Sequence, residues 1–303
     1  MPDRESLLLT RQQAVRMETA IRSLQNDGLA EMLWKLRRRH NVADPPREAL
    51  RHARDLGLVE AALNSPLRIT RIGAKVSDSL TEYRHWKQRA KQHHWSKEVD
   101  ALRLELLHGR RILEVGCGAG VNMLSLQACA EVVGLDREAL YLQFLAVLAR
   151  LENVPTPMCV CAMAERMPFE DGSFDIVLLF GSLPYMHIEH ALREVARVLR
   201  PGGRAIAIHS DLWQTLVIRA RQRRWNLLSP SVLLREVRAA AGMLLYPWLG
   251  RLFLPPSAPV HSTRRQTRRW LARAGLRVNT QDSCPIAHEV CYVAEKPSGA
   301  DQE

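Results

Sequence analysis

The sequence predicts an α/β chain built on an open, doubly wound, mostly parallel sheet, and three stretches carry that prediction. Residues 111–120 read Arg-Ile-Leu-Glu-Val-Gly-Cys-Gly-Ala-Gly, an apolar β-prone run closing on Gly116, Gly118 and Gly120. An amphipathic segment, 121–130, follows at once, so the order is strand, tight glycine turn, helix. Glycines let backbone approach a ligand where a Cβ would collide, and the new helix turns its free N–H groups to the same place. Residues 131–136, Glu-Val-Val-Gly-Leu-Asp, then read as a second strand that ends on Asp136. An acid at that tip can accept hydrogen bonds from ribose hydroxyls. Further on, the turn-rich 167–175 leads into an apolar strand at 176–180. Residues 191–199 form a helix that Pro201-Gly202-Gly203 stops, and a strand resumes at 204–208.

These motifs, in this order, resemble the class I S-adenosylmethionine-dependent methyltransferases, particularly the branch that includes the ubiquinone/menaquinone-biosynthesis enzymes. The resemblance implies a Rossmann-like seven-stranded class I methyltransferase sheet, with S-adenosyl-L-methionine as cofactor. It implies that Glu114 reaches the amino group of the cofactor's methionine part. Gly116, Cys117, Gly118 and Gly120 would form the floor, Asp136 would hold the ribose hydroxyls, and Arg137 would lie beside the adenine edge. Asp136 could also cap the helix over 137–150. One position departs from the family pattern: an acid commonly accepts from the adenine amino group near the end of the third strand, and Met163 stands there. Adenine contact then falls to Met163 and Ala164, with help from Glu165, and Phe180 completes the cofactor set at the end of the fourth strand.

Methyl transfer needs alignment and exclusion of water more than acid–base chemistry. A base is required only for a hydroxyl or protonated nitrogen. Winged-helix O-methyltransferases place a base histidine after the fourth strand, where this chain has Gly181-Ser182-Leu183-Pro184-Tyr185-Met186-His187. The match fails by a few positions. Tyr185 and His187 are the nearby candidates and His209, ending the fifth strand, is a third, each weighed against a structural role.

Ahead of the sheet, residues 10–40 are helical in pattern with a break at Asn26-Asp27-Gly28, and Asp44-Pro45-Pro46 starts a helix to about Leu56. Short strands to Ala62 and over 67–70 flank Asn64-Ser65-Pro66, and a helix starts at Thr70. This order is similar to a winged helix-turn-helix, which makes 1–100 a mainly helical, winged-helix-like module before a methyltransferase domain at 101–303. Such a module can read DNA or serve as a dimerisation and substrate-covering unit. The second is favoured because Arg47, Arg51 and Arg54 share their helix with Glu48 and Asp55. Arg37-Arg38-Arg39 reads as a solvated face, and 77–108 as one long or broken helix covering the cofactor pocket. His85, His93 and His94 lack acidic or cysteine partners at metal spacing, so no metal is expected.

The net charge of +11 is concentrated: residues 209–277 carry thirteen basic against two acidic side chains, whereas 109–208 carry nine against eleven. Seven of those thirteen basic side chains lie in a basic, apolar insert at about 211–260, where the family builds a substrate lid. The insert packs on the core, docks on an anionic membrane surface or steers an anionic ligand. The six cysteines show no zinc spacing and read as buried free thiols of a reducing compartment. No apolar run is long enough to span a bilayer, and the N-terminus lacks a secretory layout, so a cytoplasmic, membrane-peripheral location is expected. The expected activity is methylation of a small, lipophilic or anionic metabolite, most often on oxygen, by a homodimer. The alternatives are a cofactor-sensing DNA-binding regulator or an RNA methyltransferase. Nucleic acid is disfavoured because the chain carries no Asn-Pro-Pro-Tyr-type tetrapeptide and no RNA-binding signature.

Overall fold

The structure, a computed structural model, describes residues 8–23, 28–38, 42, 45–62, 65–91, 107–212, 246, 259–279, 285–286 and 289–298. Contacts divide the chain into two units, Met1–Gly109 with Cys117–Ala162, and Arg110–Gly116 with Met163–Glu303.

The first unit opens with helices α1 (Arg11–Ser23), α2 (Gly28–Arg37) and α3 (Arg47–Asp55), the hairpin β1 (Val59–Ala62) and β2 (Ser65–Ile69), and helix α4 (Arg71–Lys91). A reciprocal pair of hydrogen bonds starts α1, Gln13 N–H to Thr10 Oγ1 and Thr10 N–H to Gln13 Oε1. Thr70 does similar work for α4: its hydroxyl accepts from Gly73 N–H and donates to Gly57 O. The hairpin is antiparallel, with Val59 opposite Ile69. Leu29, Leu33, Ala49, Ala53, Leu58 and Val76 are buried. Arg37 and Arg38 are exposed, with Arg37 paired to Asp78 and Arg38 over Trp34 at 4.5 Å, and Arg39 lies outside the described residues. Helix α4 runs unbroken from Arg71, and the expected continuation over 92–106 lies outside the described residues.

After the glycine turn the same unit holds α5 (Val121–Leu126), β4 (Glu131–Asp136), α6 (Ala139–Glu152) and β5 (Met158–Cys161), with β4 and β5 parallel. Leu9 N–H donates to Gln143 of α6, and Glu18 meets Arg150 at 2.8 Å, so the first helix packs along α6.

The second unit contains β3 (Arg111–Val115), β6 (Phe174–Phe180), α7 (Ile188–Val198), β7 (Leu199–Ser210), α8 (Arg264–Arg273), β8 (Arg277–Asn279), β9 (Pro285–Ile286) and β10 (Glu289–Glu295). Strands β3, β6 and β7 are parallel neighbours, and β10 runs antiparallel to both β7 and β8. The strand order is β5-β4-β3-β6-β7-β10-β8, with β9 appended to β10. This is the seven-stranded mixed sheet of a Rossmann-like class I methyltransferase fold, carrying one short extra strand.

The strand starts earlier than the sequence suggests, since β7 begins at Leu199 and runs to Ser210, while its pairing with β6 steps from Leu199 to Arg204 across the Pro201-Gly202-Gly203 turn. Gly202 N–H donates to Lys296 O and Lys296 N–H to Gly203 O, which holds the turn to the end of β10. A Cβ on Gly203 would lie 2.8 Å from Arg200 O and 3.0 Å from Asp175 O, so the crossing needs glycine. The five described cysteines are free thiols, but only Cys117 and Cys291 are buried and Cys161 is exposed, correcting the expectation of uniform burial. Among the described residues no helix is long and apolar enough to cross a membrane.

Candidate functional site

Within the first unit the site is built around Asp136. Strand β4 is buried from Val132 onward and delivers the carboxylate to its C-terminal end, 7% exposed. There Oδ2 accepts from Gly118 N–H and Oδ1 from Glu138 N–H, each at 2.9 Å. Two backbone amides therefore fix the carboxylate while leaving lone pairs on both oxygens. The bond from Glu138 N–H reaches the residue preceding α6, so Asp136 also steadies the start of that helix. Burial raises the Asp136 carboxyl, and the two amide donors oppose the shift. The turn is held from beneath by Cys117 N–H to Leu135 O. Gly118 has φ +54°, and a Cβ there would find only Glu82 Oε2 within 4 Å, at 3.7 Å. That open face fits a ligand lying on the glycine turn. Gly120 is different, since a Cβ there would press on Leu145 at 2.6 Å. Arg137 is exposed and lies 4.0 Å from Glu138.

Within the second unit, β3 presents Glu114, 2% exposed, opposite Leu178 of β6, and ends at Val115, just before Gly116. Ser182, which the sequence reading did not single out, shapes that end. Its hydroxyl donates to Val115 O at 2.6 Å, and its Cβ would sit 2.5 Å from a Cβ on Gly116. The only sequence signal was its place directly after the strand end Phe180-Gly181. Met163 is 50% exposed and Ala164 is buried. Glu165 is committed elsewhere: its Oε1 accepts from His187 N–H at 2.6 Å.

The three base candidates do not form one group. Tyr185, 48% exposed, ends a short 3-10 turn over Leu183–Tyr185, and the exposed His187 precedes α7 with its ring stacked on His190 at 4.3 Å. His209 is 2% exposed, lies against Tyr292 at 5.2 Å and has Nε2 3.4 Å from Thr267 Oγ1, which meets Ser262 Oγ at 2.7 Å. Of the insert at 211–260, only residues 211, 212, 246, 259 and 260 are described. Val260 N–H donates to Pro184 O, and Tyr246 lies edge-on to Trp270 with its hydroxyl 3.4 Å from Ile188 N. His93, His94 and Cys284 lie outside the described residues. Among the described residues no three ligating side chains are grouped for a metal.

Residues 113–207 match the family model for a methyltransferase domain. Over 110 residues the chain is 43% identical to phthiotriol/phenolphthiotriol dimycocerosates methyltransferase 1 of Mycobacterium ulcerans, covering 35% of this chain and 39% of that protein. It is 31% identical over 187 residues to a tRNA U34 carboxymethyltransferase of Alcanivorax borkumensis, 60% of this chain and 49% of the other. Against the ubiquinone/menaquinone biosynthesis C-methyltransferase UbiE of Cupriavidus necator it is 30% identical over 136 residues, with shares of 41% and 48%. The chain thus spans about two fifths to half the length of these curated relatives. A chain from the complex of the Haloferax volcanii Trm112 methyltransferase activator with its methyltransferase partner superposes with TM-score 0.52 at 17% identity. That superposition covers 74% of this chain and 95% of that one, and it shows a shared fold. Residues 113–207 therefore form a methyltransferase domain on the class I methyltransferase fold, and S-adenosylmethionine is the cofactor such a domain implies.

Proposed function

We propose that the chain methylates a small-molecule acceptor, most often on oxygen, and that the acceptor is lipophilic or anionic. The observation that supports this reading best is the Asp136 carboxylate, aimed by two backbone amides beside the open face of Gly118. Asp136 would accept from the ribose hydroxyls, Gly116, Cys117, Gly118 and Gly120 would floor the cofactor, and Glu114 would take its amino group. Arg137, Met163, Ala164 and Phe180 would complete the contact. When bound, the cofactor supplies a methyl group on a cationic sulfur, an already activated donor. The protein's remaining task is to align an acceptor and exclude water.

Where the acceptor is a hydroxyl, Tyr185 and His187 are the groups placed to take its proton. Both are exposed on one loop, and Glu165 steadies that loop through the His187 backbone. The third candidate, His209, is buried against Tyr292 and Thr267, which supports a structural role for it rather than that of a base. Relatives named for a dimycocerosate and for quinone biosynthesis support a lipophilic acceptor. The basic insert would then meet a membrane surface from a cytoplasmic location, and the winged-helix-like N-terminal helices would pair two copies. A second reading, methylation of RNA, draws on the tRNA-modifying relative and the excess of arginine over 209–277. Strongly salt-dependent RNA binding, alongside inactivity on lipid and quinone acceptors, would favour it.

The test is calorimetric titration of S-adenosylhomocysteine into wild type, Asp136→Ala and Gly118→Arg, followed by acceptor screening. Micromolar binding by wild type that both variants lose is the expected result. Equal binding by all three removes the assignment of the pocket.

A further inference from the structure

Helix α4 carries a carboxylate that this cofactor reading leaves unused. Lys75, Glu82 and Trp86 stand at i, i+7 and i+11, on one helical face. Both ends of that face are pinned. Lys75 Nζ lies 3.4 Å from Glu138 Oε2 and 4.8 Å from the Tyr141 ring centre, and Trp86 Nε1 donates to Ser125 Oγ at 2.6 Å. Between the pins, Glu82 Oε2 approaches the open face of Gly118. Its side chain is exposed to solvent yet crowded by protein atoms, and it has no hydrogen-bond or ion-pair partner among the described residues. Burial, and then the charge on Asp136, push its carboxyl up to about 7.

The charges around it do not neutralise it. Lys75 serves Glu138, and Arg37 of α2 serves Asp78. Asp136 and Glu138 add negative charge at the end of β4, and Tyr141 of α6 has its own hydroxyl pushed up by burial and these carboxylates. Lys75 also acts on Asp136, but Glu82 has no cation of its own among the described residues. The two carboxylates facing one glycine turn repel each other, and a ligand bringing two adjacent hydroxyl donors relieves them both.

We propose that Glu82 is a cofactor-binding residue, which joins Asp136 in a two-carboxylate acceptor for the vicinal hydroxyls of the cofactor's ribose. The inference rests on the cofactor reading above. The carboxylate is brought by the helical segment before the sheet, so α4 forms a wall of the site and its pinning sets the ligand's fit.

The test is titration of S-adenosylhomocysteine into the full chain at pH 6, 7 and 8, in wild type, Glu82→Gln and Glu82→Ala. With a carboxyl near 7 the ionised fraction rises about tenfold from pH 6 to 8, so wild-type affinity should tighten by about that factor. Glu82→Gln should bind about tenfold more weakly than wild type at pH 8, lose most of the pH slope and keep wild-type helicity; Glu82→Ala should bind no better. S-adenosylmethionine should lose the same factor, because its ribose is identical. A loss confined to S-adenosylmethionine would move Glu82 to the sulfonium and overturn the diol assignment. Wild-type affinity and slope in both variants would overturn this inference alone. Failure of wild type to bind at any pH would take the cofactor reading down with it.

Discussion

Replacing Gly116 with alanine tests whether the turn after β3 is built on a close approach or only on a left-handed backbone. Gly116 has φ +73°, a conformation that costs an L-residue roughly 1–2 kcal/mol. Its new Cβ would also lie 2.5 Å from Ser182 Cβ and 3.1 Å from both Met186 Cε and Ser182 Oγ. Ser182 cannot swing aside cheaply, because its hydroxyl is buried on Val115 O at 2.6 Å. Overpacking of this kind costs roughly 1–3 kcal/mol. The smaller entropy of the unfolded alanine chain returns about half a kcal/mol, which leaves a net loss of about 2–4 kcal/mol. Gly109 is the control, with φ +68° and nothing within 4 Å of its missing Cβ, so Gly109→Ala should lose only about 1 kcal/mol. Urea unfolding of both variants reads the difference directly as a shift in midpoint at constant slope. In the Gly116→Ala background, Ser182→Gly should cost less than it does in wild type, since it removes the clashing Cβ. Equal losses at positions 116 and 109 would refute the close approach.

Asp136→Asn should destabilise the turn by roughly 1–3 kcal/mol, because the amide presents a donor to one of two N–H groups that now share a carboxylate. S-adenosylhomocysteine titration should show a loss of at least about tenfold in the same variant. Arg197 donates to Glu194, Asp171, Phe169 O and Met167 O, a fork that lysine cannot reproduce. Arg197→Lys should therefore lose about 2 kcal/mol in urea unfolding, and wild-type stability would show that the fork contributes nothing. Glu82 gives a prediction with a definite sign. Its folded carboxyl titrates near 7 against 4.5 as the ordinary value, so between these pH values the folded chain holds a proton the unfolded chain has lost. Stability from this group falls as pH rises through that window. Glu82→Gln should melt above wild type at pH 8 and level with it at pH 4, and identical melting at pH 8 would show that the carboxylate is not crowded.

What was legible in the sequence was local. The runs 112–115, 131–136 and 176–180 are short, apolar and bounded by turn residues, so strand, turn and helix follow from the chain itself. Asp136 was readable for the same reason, as the acid that ends its strand. The early start of β7 at Leu199 was not readable, because Gly202 and Gly203 bond to Lys296, nearly a hundred residues later, and a local reading cannot see a partner that far away. Ser182 and Glu82 were missed on similar grounds. Serine after a strand and glutamate in a charged helix are unremarkable until Gly116 and Gly118 are found beneath them.

The position of Glu82 also joins stability to function in one residue. A carboxylate crowded against Asp136 with no cation assigned to it opposes folding above pH 7, and a glutamine of the same shape would remove that cost. Lys75 and Trp86 work in the other direction, fastening α4 across Glu138, Tyr141 and Ser125 so that the helix stays in place despite the repulsion. Strain held at one point of a well-pinned face is the pattern expected of a group kept for a ligand rather than for the fold. A charged residue serving only solubility would gain nothing from being held over a glycine turn. Glu82→Gln therefore separates the two accounts by moving stability and affinity in opposite directions: a structural residue loses both together, whereas a ligand-binding carboxylate gives up affinity while the fold gains.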